Sequence, residues 1–206
     1  TGYLALIAGA VGLYYMYRCY RIPARPFWNH WQTGSAFLGT ALTLGGAVLG
    51  VIGVPTLMLI GGDGLAILKL SLVSIVIGSA LEGVGLWRHG LAMNKANNEG
   101  SVSHYIQCTL FGKSYMLRNL LTLANLLLAV ALLSSAELGV ETLVASALLC
   151  GSIMTTALIG RCLFYVLVVP TTVPGAFFWK NKDFEEHARD IGLANMPQVG
   201  VVAHTH

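Results

Sequence analysis

The twelve Lys and Arg residues of this chain are unevenly distributed among the connections that join five long apolar runs. The runs span residues 4–17, 35–60, 65–87, 117–133 and 142–169. Most approach or exceed the roughly 20 residues that a helix needs to cross a hydrocarbon layer of about 30 Å. Because the runs lack the alternating pattern of membrane strands, we predict an all-α integral membrane protein with five transmembrane helices.

The basic residues predict the orientation of these helices. They lie on the first connection, around the third connection, and at or beyond the end of the fifth run: Arg18, Arg21, Arg25, Arg88, Lys95, Lys113, Arg118, Arg161, Lys180, Lys182 and Arg189. The opposite face has only Lys69, together with Asp63, Glu137 and Glu141. Because Lys and Arg near helix ends are retained in the cytoplasm, the first and third connections and the C-terminus are expected to be cytoplasmic.

Composition excludes several other classes of protein. A chain that is 55% hydrophobic and 10% charged, with a mean hydropathy of +0.70, lacks the polar surface of a soluble domain of this size. The net charge of +3 is not a nucleic-acid signal, because no basic helix or patch with interleaved aromatic residues accompanies it. Cys19, Cys108, Cys150 and Cys162 have no C-x-x-C spacing, so neither a disulfide framework nor a thiolate metal site is expected.

The chain divides most simply into a transmembrane bundle, residues 1–170, and a cytoplasmic tail, residues 171–206. In the tail, Asp183 and Glu186 have capping-box spacing, which predicts one short helix. The first residue is Thr, and an apolar run begins three residues later. We therefore expect the chain to begin inside a longer protein.

Small residues and turn signals predict how the helices pack. Gly46, Gly50 and Gly53 in the second run, and Gly78 in the third, favour close helix contacts. Pro55 is expected to bend the second span. The short connections 61–64 and 134–141 predict antiparallel hairpins, and in the third connection residues 97, 98 and 100 are read as a loop tip before a possible interfacial segment at 102–111.

Two charged residues within the spans are candidate functional groups. Glu82 lies near the cytoplasmic end of the third span, where a carboxylate is costly unless it is paired or neutral. It either contacts a proton or quinone, or forms a structural hydrogen bond. Arg161 in the fifth span either pairs with Glu82, extends to the interface, or faces a ligand headgroup. Arg118, which with Asn119 opens the fourth span, is most simply a topological anchor.

A second candidate is a basic and aromatic cluster at the cytoplasmic boundary, formed by Arg18, Tyr20, Pro26, Trp28, His30 and Trp31. It either binds a ligand or subunit, or is an aromatic belt at the membrane interface.

The histidines argue against a haem in this chain. His30, His89, His104, His187, His204 and His206 all fall in predicted loops or the tail. We therefore expect no two of them to face each other inside the membrane as axial ligands of a b-type haem. Phosphate-loop, nucleophile-elbow and zinc-protease motifs are also absent from the sequence, and no metal site is predicted.

The order of these motifs resembles the membrane-anchor subunit of dimethyl sulfoxide reductase and its relatives. The resemblance rests on Arg18-x-Tyr20, Pro26-x-Trp28, Glu82, Arg118 and, most specifically, Gly160-Arg161-x-Leu163-Phe164-Tyr165. It covers essentially the whole chain. It implies a haem-free anchor of eight helices, of which this chain would hold the last five. It also implies partners, a molybdopterin catalytic subunit and an iron–sulfur subunit, and electron exchange between the nearest cluster and a quinone, either menaquinone or ubiquinone.

Within the family, the tail from Pro174 through Trp179 to Arg189 resembles anchors of quinone-linked sulfite dehydrogenases. The family's upstream histidine motif would precede Thr1, and the acidic residue that often precedes the Gly-Arg motif is Ala157 here. The resemblance therefore implies an anchor in a bacterial inner membrane that passes electrons from cytoplasmic sulfite oxidation to quinone.

These expectations assign two groups of residues. The quinone and proton site would comprise Glu82, Arg161, Arg18 and Tyr20. The partner would dock on Arg21, Arg25, Trp28, His30, Trp31, Arg88 and Phe184. Two alternatives remain: an anchor that oxidises quinol to reduce dimethyl sulfoxide, and a transporter fragment or structural membrane subunit, for which mid-membrane Asn125 is the residue of interest.

Overall fold

The computed structural model describes residues 2–96, 98–135 and 137–167, and regular structure within these ranges is entirely helical. The helices are α1 (Gly2–Tyr20), α2 (Trp31–Val48), α3 (Val54–Leu59), α4 (Gly64–Lys95), α5 (Glu99–Thr109), α6 (Gly112–Ser134) and α7 (Val140–Val166), with a π-helical turn at Leu49–Gly53. The all-α prediction is confirmed for this part of the chain. The predicted tail helix and Phe184 lie outside the described residues.

Within the described residues, four helical stretches are long and apolar enough to cross a membrane. They are Trp31–Leu59, Gly64–Lys95, Gly112–Ser134 and Val140–Val166, and they match the second to fifth predicted spans. The first predicted span forms α1, which has no buried residue and is not one of the four. The chain is therefore multi-pass, and the fifth span remains a prediction.

Helix α4 is central and runs antiparallel to α2. The small residues at this contact lack the side chains that would hold the two helices apart. A Cβ atom on Gly78 would lie 2.7 Å from the Gly39 carbonyl oxygen, and one on Gly46 would lie 2.8 Å from the Ser71 carbonyl oxygen. The Ser71 hydroxyl also donates to the Gly46 carbonyl at 2.7 Å. The close packing predicted at Gly46 and Gly78 is thus confirmed.

Apolar side chains form two separate cores along the bundle. One lies between α2, α4, α6 and α7 and includes Ala47, Leu72 and Ile153. The other lies near the C-terminal ends of α4 and α7 and is formed by Phe27, Met93, Leu163 and Leu167. The intervening layer contains the polar residues described below.

Pro55 lies where the second predicted span changes its winding, and the bend expected there remains a prediction. The proline lies in the first turn of α3, directly after the π-helical turn. Because proline has no N–H group, the regular helical hydrogen-bond pattern cannot continue through it. The Val54 N–H instead donates to the Leu49 carbonyl, five residues earlier, and the helix continues to Leu59 with altered winding.

The connections agree with the predicted hairpins, whereas the third connection contains more helix than predicted. Helix α4 continues past residue 87 to Lys95, and Asn98 caps α5 by accepting hydrogen bonds from the Gly100 and Ser101 N–H groups. The prediction of Gly100 as a loop residue is therefore wrong, because the Asn98 side chain starts a helix there. Residue 97 lies outside the described ranges.

The contact between α2 and α4 predicts opposite outcomes for two glycines of α4. We expect Gly78→Ala to cost about 1–3 kcal/mol of stability, because its methyl group would meet the Gly39 backbone. Gly83→Ala should be neutral or slightly stabilising, because a Cβ there has no atom within 4 Å. Thermal unfolding of both variants in a mild detergent tests this, and equal midpoints would contradict the packing described.

Candidate functional site

One end of the bundle gathers most of the predicted site residues. Because α2, α4, α6 and α7 alternate in direction, this end comprises residues 18–31, 88–96, 98–113 and 160–167. We call it the basic end, since it includes Arg18, Arg21, Arg25, Arg88, Lys95, Lys113 and Arg161.

Five rings form an aromatic cluster at the basic end: Tyr20, Trp28, Phe37, Phe164 and Tyr165. Trp28 stacks on Phe164 with centroids 5.1 Å apart and planes at 12°, and its indole N–H donates to the Phe164 carbonyl at 2.9 Å. The Tyr20 and Tyr165 hydroxyls are 2.8 Å apart. This hydrogen bond and, to a smaller extent, burial raise the pKa of Tyr20, so its phenol stays protonated at neutral pH. The cluster joins the end of α1 to α7.

The predicted docking residues lie beside this cluster. Arg21 donates to the Asn29 side-chain oxygen at 2.7 Å and also hydrogen-bonds the Tyr17 hydroxyl, and Arg25 lies over the Trp28 ring at 5.1 Å. Arg21 and Arg88 are exposed, as is Trp31 at 39%. The described docking residues therefore form one surface, which we call the basic rim: Arg21, Arg25, Trp28, His30, Trp31 and Arg88.

His30 caps α2 from this rim. Its Nδ1 accepts the Gln32 N–H at 3.1 Å. Partial burial, followed by the charges of Arg21 and Arg88, lowers the pKa of His30 below its ordinary value. The imidazole is therefore neutral at physiological pH. Because Nδ1 accepts a hydrogen bond, Nε2 carries the hydrogen of the ring.

Beneath the rim, a small polar cavity separates the two apolar cores. It has a volume of about 60 Å³, enough for a few water molecules. Its charged or titratable lining residues are Glu82, His89, Arg118, Arg161 and Tyr115. The helices thus bring the two charged residues singled out in the sequence, Glu82 and Arg161, to one cavity.

Glu82 projects from α4 into a space left by Gly39 of α2. A Cβ atom on Gly39 would overlap the Glu82 Cγ atom, so glycine is required there. The Thr40 hydroxyl donates to Glu82 Oε1 at 2.6 Å. Both Arg118 and Arg161 are near enough to act electrostatically on this carboxylate.

Arg118 is wrongly predicted as a topological anchor. Its side chain turns into the bundle, is only 7% exposed, and packs beside Gly160 of α7. Its Nε and Nη2 atoms donate to Asn119 Oδ1 at 3.2 and 2.9 Å, and its guanidinium lies 5.0 Å from the Tyr115 ring centroid. Sequence position near a helix end indicated an anchor, but the direction of the side chain depends on the α4–α6–α7 packing.

Arg161 joins the cavity to the aromatic cluster. Its guanidinium lies 4.3 Å from the Phe37 ring centroid, and the residue also lines the cavity. A direct ion pair with Glu82 is not formed in the described part of the chain. The two arginines and one carboxylate give the cavity an excess of positive charge when Glu82 is ionised.

The prediction that the histidines lie in loops is wrong for two of them. His89 lies within α4 and His104 within α5, and each is 5% exposed. With His30 they form a row, with centroids 5.2 Å apart for His30 and His89 and 6.4 Å apart for His89 and His104. The apolar pattern did not predict this row, because α4 and α5 extend beyond the apolar runs. The absence of haem in this chain remains a prediction.

The Asn125 side chain hydrogen-bonds two side chains of α7. Its amide nitrogen donates to Thr156 Oγ1 at 3.1 Å, and its oxygen accepts from the Ser152 hydroxyl at 2.6 Å. Hydrogen bonds of this kind join α6 to α7 within the membrane-spanning region.

The predicted site residues therefore fall into three places. Glu82 and Arg161 share the polar cavity, Tyr20 lies in the aromatic cluster, and Arg18 is exposed and does not line the cavity. Arg118, His89 and Tyr115 complete the cavity and were not predicted as site residues. Among the described residues, no group of three His, Cys, Asp or Glu side chains is arranged to hold a metal ion.

Comparison with known proteins identifies a family. The family model described as "DMSO reductase anchor subunit (DmsC)" matches residues 2–167. No curated protein and no solved structure matches the chain.

The aromatic cluster predicts that Trp28 stabilises the basic end through its indole N–H. We expect Trp28→Phe to keep the stacking on Phe164 but lose the bond to its carbonyl, at a cost of about 1 kcal/mol. Trp87→Phe is the matched control, because Trp87 is 64% exposed. Thermal unfolding in detergent measures both, and an equal effect would contradict a special role for Trp28.

Proposed function

The chain belongs to the DMSO reductase anchor subunit family, and we propose that it is the quinone-reactive subunit of a three-subunit molybdopterin and iron–sulfur oxidoreductase. As a member of this family it is a multi-pass membrane anchor of a DMSO reductase-type complex. The proposed direction of electron flow is from cytoplasmic sulfite oxidation to the quinone pool of a bacterial inner membrane. The described helices would be the C-terminal part of an eight-helix anchor.

The convergence of Glu82, Arg118 and Arg161 on one cavity supports this proposal most strongly. Reduction of a quinone to a quinol consumes two electrons and two protons. The electrons would come from an iron–sulfur cluster of the partner subunit, and the protons must reach the ring through the protein. A carboxylate held by a Thr hydroxyl beside water-sized space can accept and release protons.

The two arginines would keep Glu82 functional at this depth. A lone carboxylate in a membrane interior is costly, whereas nearby guanidinium groups favour its charged form. Arg161 also lies against Phe37 and so places its charge between the cavity and the aromatic cluster. In the proposed function, Arg161 stabilises the Glu82 carboxylate, and Glu82 relays protons from the cytoplasmic side.

The basic rim is the proposed docking surface for the iron–sulfur subunit. Exposed Arg21, Arg88 and Trp31 provide cationic and aromatic groups, a composition favoured at protein interfaces. The rim lies directly over the aromatic cluster and the polar cavity, which would shorten the path from a partner's cluster to a quinone. The positive-inside distribution supports a cytoplasmic position for this end.

Two other functions are distinguishable from this one. Quinol oxidation coupled to dimethyl sulfoxide reduction is favoured by the name of the matched family model. A transporter is disfavoured by the charge distribution, because the charged groups cluster toward the basic end and Asn125 hydrogen-bonds Thr156 and Ser152 of α7.

Glu82→Gln should reduce quinone turnover about tenfold or more, because the amide can still accept the Thr40 hydrogen bond but cannot carry a proton. Partner subunits should still co-purify. Glu141→Gln is the matched control, since Glu141 is an exposed residue in the first turn of α7. Steady-state quinone reduction by the purified complex measures the effect, and normal turnover would remove Glu82 from the mechanism.

The substrate assignment predicts the composition and activity of the complex. The detergent-solubilised assembly should contain molybdenum, iron and two further subunits, and it should reduce quinone when given sulfite. Assays with sulfite plus quinone and with dimethyl sulfoxide plus quinol separate the two anchors. Activity only with dimethyl sulfoxide would favour the reductase, and a chain purified without metal-bearing partners would contradict both.

A further inference from the structure

A second and much larger space lies between α4, α5 and α6. This cleft has a volume of about 750 Å³, within the range of about 300–1,000 Å³ typical of small-molecule sites. It opens on the outer face of the bundle, where Val84 and Trp87 are 52% and 64% exposed. The polar cavity is much smaller, at about 60 Å³, so the cleft offers far more room for a quinone ring.

The cleft exists because α4 presents small residues to α6. Ser79, Ala80, Gly83 and Gly90 line it, and a Cβ atom added to Gly83 has no atom within 4 Å. Leu91, Leu123 and Leu126 contribute apolar walls. An apolar ring with an isoprenoid tail could enter this space from the bilayer.

One wall of the cleft carries two hydrogen-bond donors on α6. Tyr115 and Asn119 are four residues apart and therefore lie on the same helix face. Arg118 has only donor groups, so the Asn119 oxygen must accept from it, and the Asn119 amide nitrogen remains as a donor. Within the described part of the chain, neither that nitrogen nor the Tyr115 hydroxyl has a hydrogen-bond partner.

Tyr115 and Arg118 connect the cleft to the polar cavity. Tyr115 lines both spaces, and the Arg118 guanidinium lies 5.0 Å from its ring. Arg118 also lines the cavity that holds Glu82. A ring bound against Tyr115 and Asn119 would thus be separated by the Tyr115 side chain from the cavity that contains Glu82, the proposed proton carrier.

We propose that the cleft between α4, α5 and α6 binds the quinone ring, with its carbonyl oxygens accepting hydrogen bonds from the Tyr115 hydroxyl and the Asn119 amide. This inference rests on the proposed quinone-reactive function. An acyl chain in the same cleft would leave both donors without a partner in an apolar setting, which is costly. A dicarbonyl ring satisfies both donors and fills the apolar remainder.

The test uses a photoreactive azido-benzoquinone with a short isoprenoid tail, applied to the purified complex. After illumination, mass spectrometry should place the label on residues 79–94 or 104–126. Gly83→Phe should reduce labelling about tenfold or more by filling the cleft, whereas Gly151→Phe should not, because Gly151 is an exposed residue of α7. Both positions have no atom within 4 Å of an added Cβ, so the two variants are matched.

A milder variant tests the hydrogen bond itself. Tyr115→Phe keeps the ring beside Arg118 and removes only the hydroxyl, so the apparent affinity for the probe should fall about three- to tenfold. The isoprenoid alcohol of the same tail, which lacks the ring, should compete poorly.

The outcomes separate this inference from the proposed function. If the complex turns over quinone but the label lies outside the cleft, or Gly83→Phe labels normally, the cleft assignment is wrong and the function stands. Equal competition by the ringless alcohol would make the cleft a lipid groove and also overturn the assignment. If the complex neither reduces quinone nor takes up label, the proposed function itself fails. Should Gly83→Phe not fold, the label map of the unmodified complex and Tyr115→Phe decide the matter.

Discussion

The close contact between α2 and α4 is the interaction on which the polar interior of this bundle depends. Helices within a bilayer gain little from excluding water, so they associate through close packing and hydrogen bonds. Here Gly39, Gly46 and Gly78 let the backbones approach, and Ser71 donates across the interface. The same glycine that permits contact, Gly39, also leaves the space occupied by Glu82. The contact thus places a carboxylate inside the bundle, where the Thr40 hydroxyl and the charges of Arg118 and Arg161 stabilise it.

Hydropathy was sufficient to predict the four long helices, because the length of an apolar span is a property of a single segment. The described helices Trp31–Leu59, Gly64–Lys95, Gly112–Ser134 and Val140–Val166 match the second to fifth predicted spans. Family resemblance rested on short motifs such as Gly160-Arg161, and the match over residues 2–167 confirms it. Segment-level features of a membrane protein are readable from its sequence for this physical reason.

The composition of the cavity was only half predictable, because side-chain direction depends on which helices become neighbours. Arg118 lies near the start of α6, the usual position of an interfacial anchor. Its side chain is nevertheless buried and packs beside Gly160 of α7. His89 lies in the C-terminal part of α4, beyond the apolar run, where hydropathy predicts a loop. Further along the same connection, Asn98 starts another helix, α5. A small residue on one helix opposite a charged residue on a neighbouring helix indicates that the charged side chain points inward. This indication can be used only when it is known which helices are neighbours.

The proposed reaction requires a ring and its protons to occupy different kinds of space, and the bundle provides both. A ring needs an apolar volume that opens to lipid, whereas proton transfer needs polar groups and water shielded from lipid. Were the ring to enter the polar cavity, it would displace the water and separate Glu82 from any proton source. Tyr115 forms a wall of both spaces and contacts Arg118, so it can keep them apart while its hydroxyl reaches the ring. The buried Arg118 guanidinium holds the Asn119 side chain by two hydrogen bonds, and its charge would stabilise the negative charge that develops on a ring oxygen during reduction. Because reduction makes the ring oxygens more basic, they would take up protons close to the cavity that contains Glu82.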